Sequence, residues 1–176
     1  GGDSKTDQNH FLLEPVSIEN LHNNRNTRNF WCRIENKGSW SVCGSSAKQE
    51  AAKFTKDQDE SILEAGFMWQ KLTRISREYE MKAETTSFGT MEVMMTELTN
   101  TADQEQKITP VAVIPLYGRS ADNIRDHRHV TSLLHRIETK TYGVEVCPVL
   151  SFDERGHQKN QTVYFVYGST GEGEAP

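Results

Sequence analysis

Residues 108–167 constrain the fold of this chain most, because turn residues divide them into distinct apolar stretches. Residues 110–117, Pro-Val-Ala-Val-Ile-Pro-Leu-Tyr, form the short apolar run that a strand buried on both faces needs. Gly118 ends that run, and apolar residues within 124–137 then recur at the three- and four-residue spacing of a helix. The segment ends in two further alternating stretches, so it predicts a β-α-β-β unit.

The two alternating stretches have the pattern of a hairpin. Residues 144–152 and 161–167 alternate apolar and polar side chains, and the polar segment 153–160 separates them. We expect the strand over 111–116 to run parallel to 144–150 through a right-handed crossover. Helix 121–140 would then cover one face of the sheet.

A second long helix is predicted for residues 59–80. Residues 57–60, Asp-Gln-Asp-Glu, resemble a capping box at its start. Its apolar stripe consists of Ile62, Ala65, Met68, Trp69, Leu72, Ile75 and Tyr79. Such a stripe indicates a face packed on the core, and the alternative is a groove for a partner helix.

The segment before this helix predicts smaller elements. Residues 30–34 and 40–43 indicate two strands that flank a tight turn containing Asn36 and Gly38. A short helix is expected to begin at Ser45 or Ser46 and to carry residues 47–54. Further along, residues 86–98 fit a strand better than a helix, and a polar loop is expected over 100–107.

Together these elements predict an α+β fold, a mixed β-sheet with two main amphipathic helices packed on it, including a β-α-β-β unit at 108-167. The length of 176 residues suits a single α+β domain, which we place at residues 11–167. Residues 1–10 and 168–176 are polar and lack apolar periodicity, so we expect both ends to be disordered.

Composition excludes several classes of protein. The net charge of −5 argues against binding nucleic acid by charge alone, although residues 22–37 form a locally basic strip. No apolar run approaches the roughly 18 residues of a membrane span, so no membrane association is expected. Three cysteines, Cys32, Cys43 and Cys147, cannot all pair and lack zinc-site spacing. We therefore expect free thiols in an intracellular protein.

Residues 30–53 resemble the last two strands and the final helix of double-stranded RNA-binding domains. The similarity lies in Phe-Trp-Cys-Arg-Ile at 30–34, in the Gly38 turn, in Gly-Ser-Ser at 44–46 and in Ala-Lys-Gln-Glu-Ala-Ala at 47–52. Such domains recognise the shape of an A-form duplex and contact its phosphates. The resemblance therefore implies RNA binding as an alternative function of the chain.

The family's lysine pair at the start of that helix is replaced here by Gly44 and Ser45. This departure implies a degenerate copy of the domain that is used for protein contact. The basic residues expected to meet RNA are Arg25, Arg28, Arg33, Lys37, Lys48 and Lys53.

Two tryptophans are the residues that we expect to contact a protein. Trp31 and Trp40 lie on the two strands of the predicted hairpin, where they would be large neighbours. Aromatic and methionine content without a convergent polar site favours a non-enzymatic binding module, most simply one for protein–protein interaction. No cofactor is implied.

A metal-dependent hydrolase is the remaining alternative. A histidine pair beside a carboxylate can hold a divalent metal and activate water. On a helix, however, His127 and His129 would point about 200 degrees apart. The residues considered for this role are Asp126, His127, His129, His135, Asp153, Glu154 and His157.

Overall fold

The computed structural model describes residues 10–11, 28–88, 92–116, 119–120, 135–153, 156–159 and 161–176. Within these ranges most of the chain forms strands, and one short helix is present, α1 (Ala47–Ala52). The strands, numbered in chain order, are β1 (His10–Phe11), β2 (Asn29–Ile34), β3 (Gly38–Ser41), β4 (Glu60–Gly66), β5 (Trp69–Ser76), β6 (Met81–Phe88), β7 (Val93–Asn100), β8 (Ile108–Val113), β9 (Arg119–Ser120), β10 (His135–Lys140), β11 (Gly143–Pro148), β12 (Leu150–Asp153), β13 (Gly156–Lys159) and β14 (Tyr164–Tyr167). The predicted α+β fold is therefore wrong, because the described chain is mostly β.

The chain divides into two compact units. The central unit, Arg28–Val113, holds a three-stranded sheet of order β3-β2-β8 and a four-stranded sheet of order β4-β5-β6-β7. The terminal unit comprises the described residues before and after it. It holds a three-stranded sheet of order β10-β11-β14 and the separate pairs β1-β9 and β12-β13. Folding of either unit alone would test the single domain, which stays a prediction.

The core of the central unit joins side chains from both of its sheets. Cys32 lies opposite Trp40 in the ladder of β2 and β3, so both side chains point to the same face. Met81 and Ala83 alternate on β6 and are fully buried. The buried cluster consists of Cys32, Ile34, Trp40, Val42, Tyr79, Met81 and Ala83, against which Phe30, Leu72, Leu98 and Ile108 pack.

The predicted helix over 59–80 is wrong, because this segment forms the hairpin of β4 and β5. The two strands pair antiparallel from Glu60 opposite Ile75 to Gly66 opposite Trp69. The predicted capping box is also absent, since Glu60 already belongs to β4.

Pairing with β6 explains why β5 is a strand despite its helical spacing of apolar residues. Leu72 packs against the core on one face, whereas Thr73 and Ile75 lie on the other. The β-branched residues Thr73 and Ile75 favour the pleated geometry of a strand. Pairing of β5 with β4 on one side and β6 on the other outweighs the small intrinsic preference of this segment for a helix. At the turn, a Cβ atom on Gly66 would lie 2.3 Å from Nε1 of Trp69, so a larger residue at position 66 would displace that indole.

The parallel crossover predicted within residues 108–167 is also wrong. β8 pairs antiparallel with β2, from Ile108 opposite Ile34 to Val113 opposite Asn29. β11 instead pairs antiparallel with β10 and β14. Pro110 is compatible with β8 because that strand lies at the edge of its sheet.

The strands of the terminal unit agree in part with those predicted from the sequence. β11 and β14 pair as expected, with Val144 opposite Val166. The expected loop over 153–160 instead contains β13, which pairs with β12. Of the predicted helix 121–140, residues 121–134 lie outside the described residues, and residues 135–140 form β10 rather than helix. Val146 and Tyr164, opposite each other, are buried.

Two local predictions in the central unit are confirmed, the first hairpin and the short helix that follows it. β2 and β3 form the expected hairpin, and α1 begins after Ser46, whose side chain accepts a hydrogen bond from the Gln49 backbone N–H. The Ser46 backbone N–H donates in turn to Gln49 Oε1, which completes a capping box. Of the strand expected over residues 86–98, residues 93–98 lie on β7, whereas residues 86–88 belong to β6. In the described part of the chain, no helical segment has the length and hydropathy required to cross a membrane.

Candidate protein-binding surface

Most of the basic residues expected to contact RNA form ion pairs with carboxylates. The ion pairs are Arg28–Glu92, Lys37–Glu80, Lys48–Glu78 and Lys53–Glu50. Arg33 is exposed on β2 and belongs to none of the ion pairs among the described residues. Arg25 lies outside the described residues. RNA binding requires basic side chains that are free to contact phosphates. These ion-paired residues therefore offer little positive charge to RNA.

Lys48 illustrates how these cations are engaged. Its Nζ donates a 2.7 Å hydrogen bond to Glu78 Oε1 and lies 5.7 Å from the centre of the Tyr79 ring. The bond to Glu78 raises the pKa of Lys48. At the position of the family's lysine pair, Gly44 is buried and Ser45 is half-buried. The resemblance to double-stranded RNA-binding domains stays a prediction.

The two tryptophans do not form the expected neighbouring pair. Trp31 lies opposite Ser41, whereas Trp40 lies opposite Cys32, so the two indoles belong to opposite faces of the sheet. Trp40 is fully buried in the core, and Trp31 is half-buried. Burial removes Trp40 from the candidate contact surface.

Trp40 instead helps to position the start of β4. Its Nε1 donates a hydrogen bond to Asp59, the residue before β4, and Gln49 of α1 donates to the same carboxylate. Arg74 on β5 lies beside this carboxylate and donates from Nε to the Val42 carbonyl at 2.5 Å. Burial lowers the pKa of Arg74, an effect that Asp59 opposes. These contacts hold the base of the hairpin, while its far end extends from the core.

The far end of this hairpin exposes large apolar side chains. We define the hairpin surface as Ile62, Leu63, Phe67, Met68 and Trp69. The exposed fractions are 69% for Leu63, 94% for Phe67 and 43% for Trp69. Ile62 and Leu63 are adjacent on β4 and point to opposite faces, so the exposed apolar residues surround the far end of the hairpin. Exposed apolar surface of this kind marks interaction sites in many proteins.

The hairpin surface continues across the outer face of the four-stranded sheet. Trp69 lies opposite Phe88 in the ladder, and Phe88 lies opposite Val93 on β7. Val93 and Met95 are exposed on the same side of the sheet as Trp69, away from the core face marked by Leu98. The apolar area therefore spans more than the turn itself.

Beside this area, the outer face becomes polar. Lys71 and Lys82 both donate to Glu84 on β6, at 2.5 and 2.9 Å. The bonds from Lys71 and then Lys82 lower the pKa of Glu84 to about 2. A charged ladder thus borders the apolar end of the sheet.

β4 supplies a second feature of the site, a free sheet edge. Among the described strands it pairs with β5 alone, and all seven of its residues are exposed. Glu60 and Glu64 lie on this strand, and neither takes part in an ion pair between described residues. An unpaired edge presents backbone N–H and C=O groups that a further strand can bind.

Sequence reasoning missed the hairpin surface because it predicts a helix here, whose core-facing stripe includes Ile62, Met68 and Trp69 but not Leu63 or Phe67. One signal was present in the succession Gly66-Phe67-Met68-Trp69, where a glycine precedes three large apolar residues. In a hairpin, such residues at the turn lie too far from the core to be buried. The helical spacing of their neighbours concealed this alternative.

The best-defined groove among the described residues does not bring together a reactive set of side chains. An open groove of about 460 Å³ is lined by Arg33, Ile34, Glu35, Asn36, Gly38, Lys107 and Thr109. No group of three or more metal-binding side chains occurs among the described residues. Asp126, His127, His129 and Glu154 lie outside those residues, whereas His135, Asp153 and His157 lie on strands. The hydrolase alternative stays a prediction.

Comparison with known proteins does not assign the chain. No protein-family model and no curated protein sequence matches it.

Proposed function

We propose that this chain is a non-enzymatic module that binds a protein partner through the hairpin surface. The single observation that carries the proposal is Phe67, which is 94% exposed between the strands of a well-anchored hairpin. Met68 and Trp69 follow it and are also exposed. Aromatic residues on a positioned support are the typical energetic centre of a protein interface.

The energy available at this surface supports the proposal. Each aromatic side chain buries on the order of 150–250 Å² in a contact, and apolar burial contributes roughly 25 cal/mol per Å². Burying Phe67 and Trp69 together would therefore contribute several kcal/mol before the entropic cost of association. The anchored base of the hairpin reduces that cost, because the turn is already positioned.

The three free cysteines, Cys32, Cys43 and Cys147, support the further proposal that the module works in a reducing, intracellular compartment. RNA binding is the weaker candidate, because four of the expected basic residues are in ion pairs. One experiment distinguishes a protein ligand from an RNA ligand.

The test is photocrosslinking in an extract of the native source. The full chain would carry p-benzoylphenylalanine at position 67 and, as a matched control, at exposed position 54, which is also a phenylalanine. A specific protein adduct at position 67 alone, unchanged by nuclease, is the expected result. Binding of the purified adduct partner should then weaken about tenfold or more in Phe67→Ser.

An adduct that disappears after nuclease treatment contradicts the proposal and favours RNA. Equal crosslinking from positions 54 and 67 also contradicts it, since the hairpin surface would not be the preferred site. Undiminished binding of the identified partner to Phe67→Ser would also contradict the proposal.

A further inference from the structure

The free edge of β4 indicates the chemistry of the segment that binds beside the hairpin surface. We propose that β4 accepts an extended, basic segment of the partner as a fifth strand of the four-stranded sheet. This inference rests on the proposed function, since it specifies how the same partner is recognised.

The backbone of β4 is suited to strand addition. β4 has seven residues, which is long enough for a stable ladder, and it contains no proline. It lacks lysine and arginine, which natural proteins place on edge strands to prevent pairing. Added strands gain affinity from backbone hydrogen bonds and specificity from alternate side chains.

The register identifies which backbone groups face outward. Phe67 and Met68 form a two-residue loop closed by Gly66 opposite Trp69. A pair closing such a loop exchanges hydrogen bonds, and bonded and non-bonded pairs alternate along an antiparallel ladder. Ser61, Leu63 and Ala65 therefore direct their N–H and C=O groups away from β5.

The charge of the edge favours a basic segment. Residues 57–66 contain Asp57, Asp59, Glu60 and Glu64 and no basic residue. Asp59 is satisfied within the fold, but Glu60 and Glu64 are exposed on β4 and lie on one face, because they are four residues apart. Lys71 lies opposite Glu64, yet its Nζ is bonded to Glu84 at 2.5 Å.

A second copy of this chain is a poorer occupant of the same edge. Two β4 strands paired about Leu63 would place four glutamates on one face of the added ladder. Like charges that lie close across strands are destabilising. A segment with basic residues opposite Glu60 and Glu64 removes this repulsion and forms two new ion pairs.

This geometry specifies the spacing in the bound segment. Positions opposite Glu60 and Glu64 are four residues apart whichever way the segment runs. The two positions opposite Ile62 and Leu63 favour β-branched apolar residues. For a segment that runs antiparallel to β4, the expected pattern is thus a basic residue, two apolar residues, one tolerant position and a second basic residue.

The test uses fluorescein-labelled peptides and the full chain. The probe is Thr-Lys-Val-Val-Thr-Lys-Thr, and its controls are the same peptide with both lysines replaced by glutamate and the shuffled Thr-Lys-Lys-Val-Thr-Val-Thr. Binding is measured by fluorescence anisotropy, and backbone amide shifts locate the peptide. We expect the probe to bind at least about tenfold more tightly than either control and to shift residues 60–66 most.

Two sets of variants test the edge itself. Ser61→Pro removes an outward N–H without removing a bond to β5, and Ser61→Thr is the matched control that keeps it. Glu60→Lys combined with Glu64→Lys should exchange the preference between the lysine and glutamate peptides. This second variant keeps the test decisive if Ser61→Pro fails to fold.

Undiminished probe binding to folded Ser61→Pro, or an unchanged preference in the double charge variant, would overturn strand addition. A dimer in sedimentation that Ser61→Pro dissociates would also overturn it, because a second copy would then occupy the edge. If the partner crosslinked at position 67 binds Ser61→Pro normally but not Phe67→Ser, the proposed function stands and this inference fails. If it binds both variants normally, both fail.

Discussion

The indole N–H of Trp40 donates a 2.8 Å hydrogen bond to the carboxylate of Asp59. Gln49 Nε2 donates to the same oxygen at 2.7 Å, and Arg74 lies 4.0 Å from it. Trp40 is fully buried, and the Asp59 side chain is 9% exposed. One carboxylate thus connects β3, α1 and β5 at the point where the chain enters β4.

Replacing Asp59 by alanine should lower the free energy of unfolding by about 2 to 4 kcal/mol. The substitution leaves the buried Trp40 N–H and the Gln49 amide without their acceptor. It also removes the carboxylate nearest to Arg74. Urea unfolding followed by tryptophan fluorescence measures the effect.

The matched control is Asp57→Ala, which removes the same charge two residues earlier at an exposed position. Its effect should stay within about 0.5 kcal/mol. Equal losses in the two variants would show that the charge of the segment, and not the contacts of Asp59, matters for stability.

Gly44→Ala should lower the free energy of unfolding by about 1 to 3 kcal/mol. Gly44 has a φ angle of +75°, and an added Cβ would lie 2.9 Å from Nη2 of Arg74. Arg74 has little freedom to move away, because its Nε is bonded to the Val42 carbonyl.

Thermal unfolding compares this variant with Gly168→Ala. Gly168 has no positive φ and no atom within 4 Å of an added Cβ, so its substitution should change stability by less than about 0.5 kcal/mol. Unchanged stability of Gly44→Ala would mean that the loop rearranges away from Arg74.

Elements that depend on nearby residues could be predicted from the sequence. The turn between β2 and β3 uses Asn36 and Gly38 at positive φ, a conformation these residues tolerate well. The start of α1 likewise depends on Ser46 and Gln49, three positions apart. In both cases the residues that determine the structure lie within a few positions of each other.

The β4–β5 hairpin could not be predicted because its partners are distant in sequence. The core face of β5 contains Arg74 and Ser76, so the expected alternation of apolar and polar residues is hidden. Arg74 is accommodated there by Val42, thirty-two positions earlier in the chain. Without that contact, the three- and four-residue spacing of Met68, Leu72 and Ile75 is the stronger signal.

The candidate site could not be predicted either, because strand register and period decide which of its side chains are exposed. Trp31 and Trp40 are both large aromatic residues in a predicted hairpin, but the register separates them to opposite faces. The helical interpretation places Met68 and Trp69 on the stripe that faces the core, although both side chains are exposed. A one-residue difference in register or a change in period reverses which side chains meet solvent.

The cysteines should differ in reactivity. Cys32 is fully buried, and burial raises the pKa of its thiol to about 11. Partial burial also raises the pKa of Cys43, but its side chain is accessible to solvent, and Cys147 is half-buried. At pH 8, native protein should therefore be alkylated by iodoacetamide at Cys43 much faster than at Cys32. Mass spectrometry of tryptic peptides measures each site, and guanidinium should equalise them. Rapid native labelling of Cys32 would contradict its place in the core.

Acid should weaken the central unit partly through Glu84. Hydrogen bonds from Lys71 and then Lys82 lower the pKa of Glu84 to about 2, below its usual value of 4.5. A carboxylate with a depressed pKa stabilises the fold above its unfolded pKa, and the contribution disappears as pH falls through the folded value. Between pH 4.5 and 2, the urea midpoint of the wild type should therefore fall more steeply than that of Glu84→Gln. Lys71→Gln removes the main hydrogen-bond donor to Glu84 and should also make the fall of the urea midpoint with pH less steep. Parallel curves of urea midpoint against pH for all three proteins would show that this ion pair makes no contribution to stability.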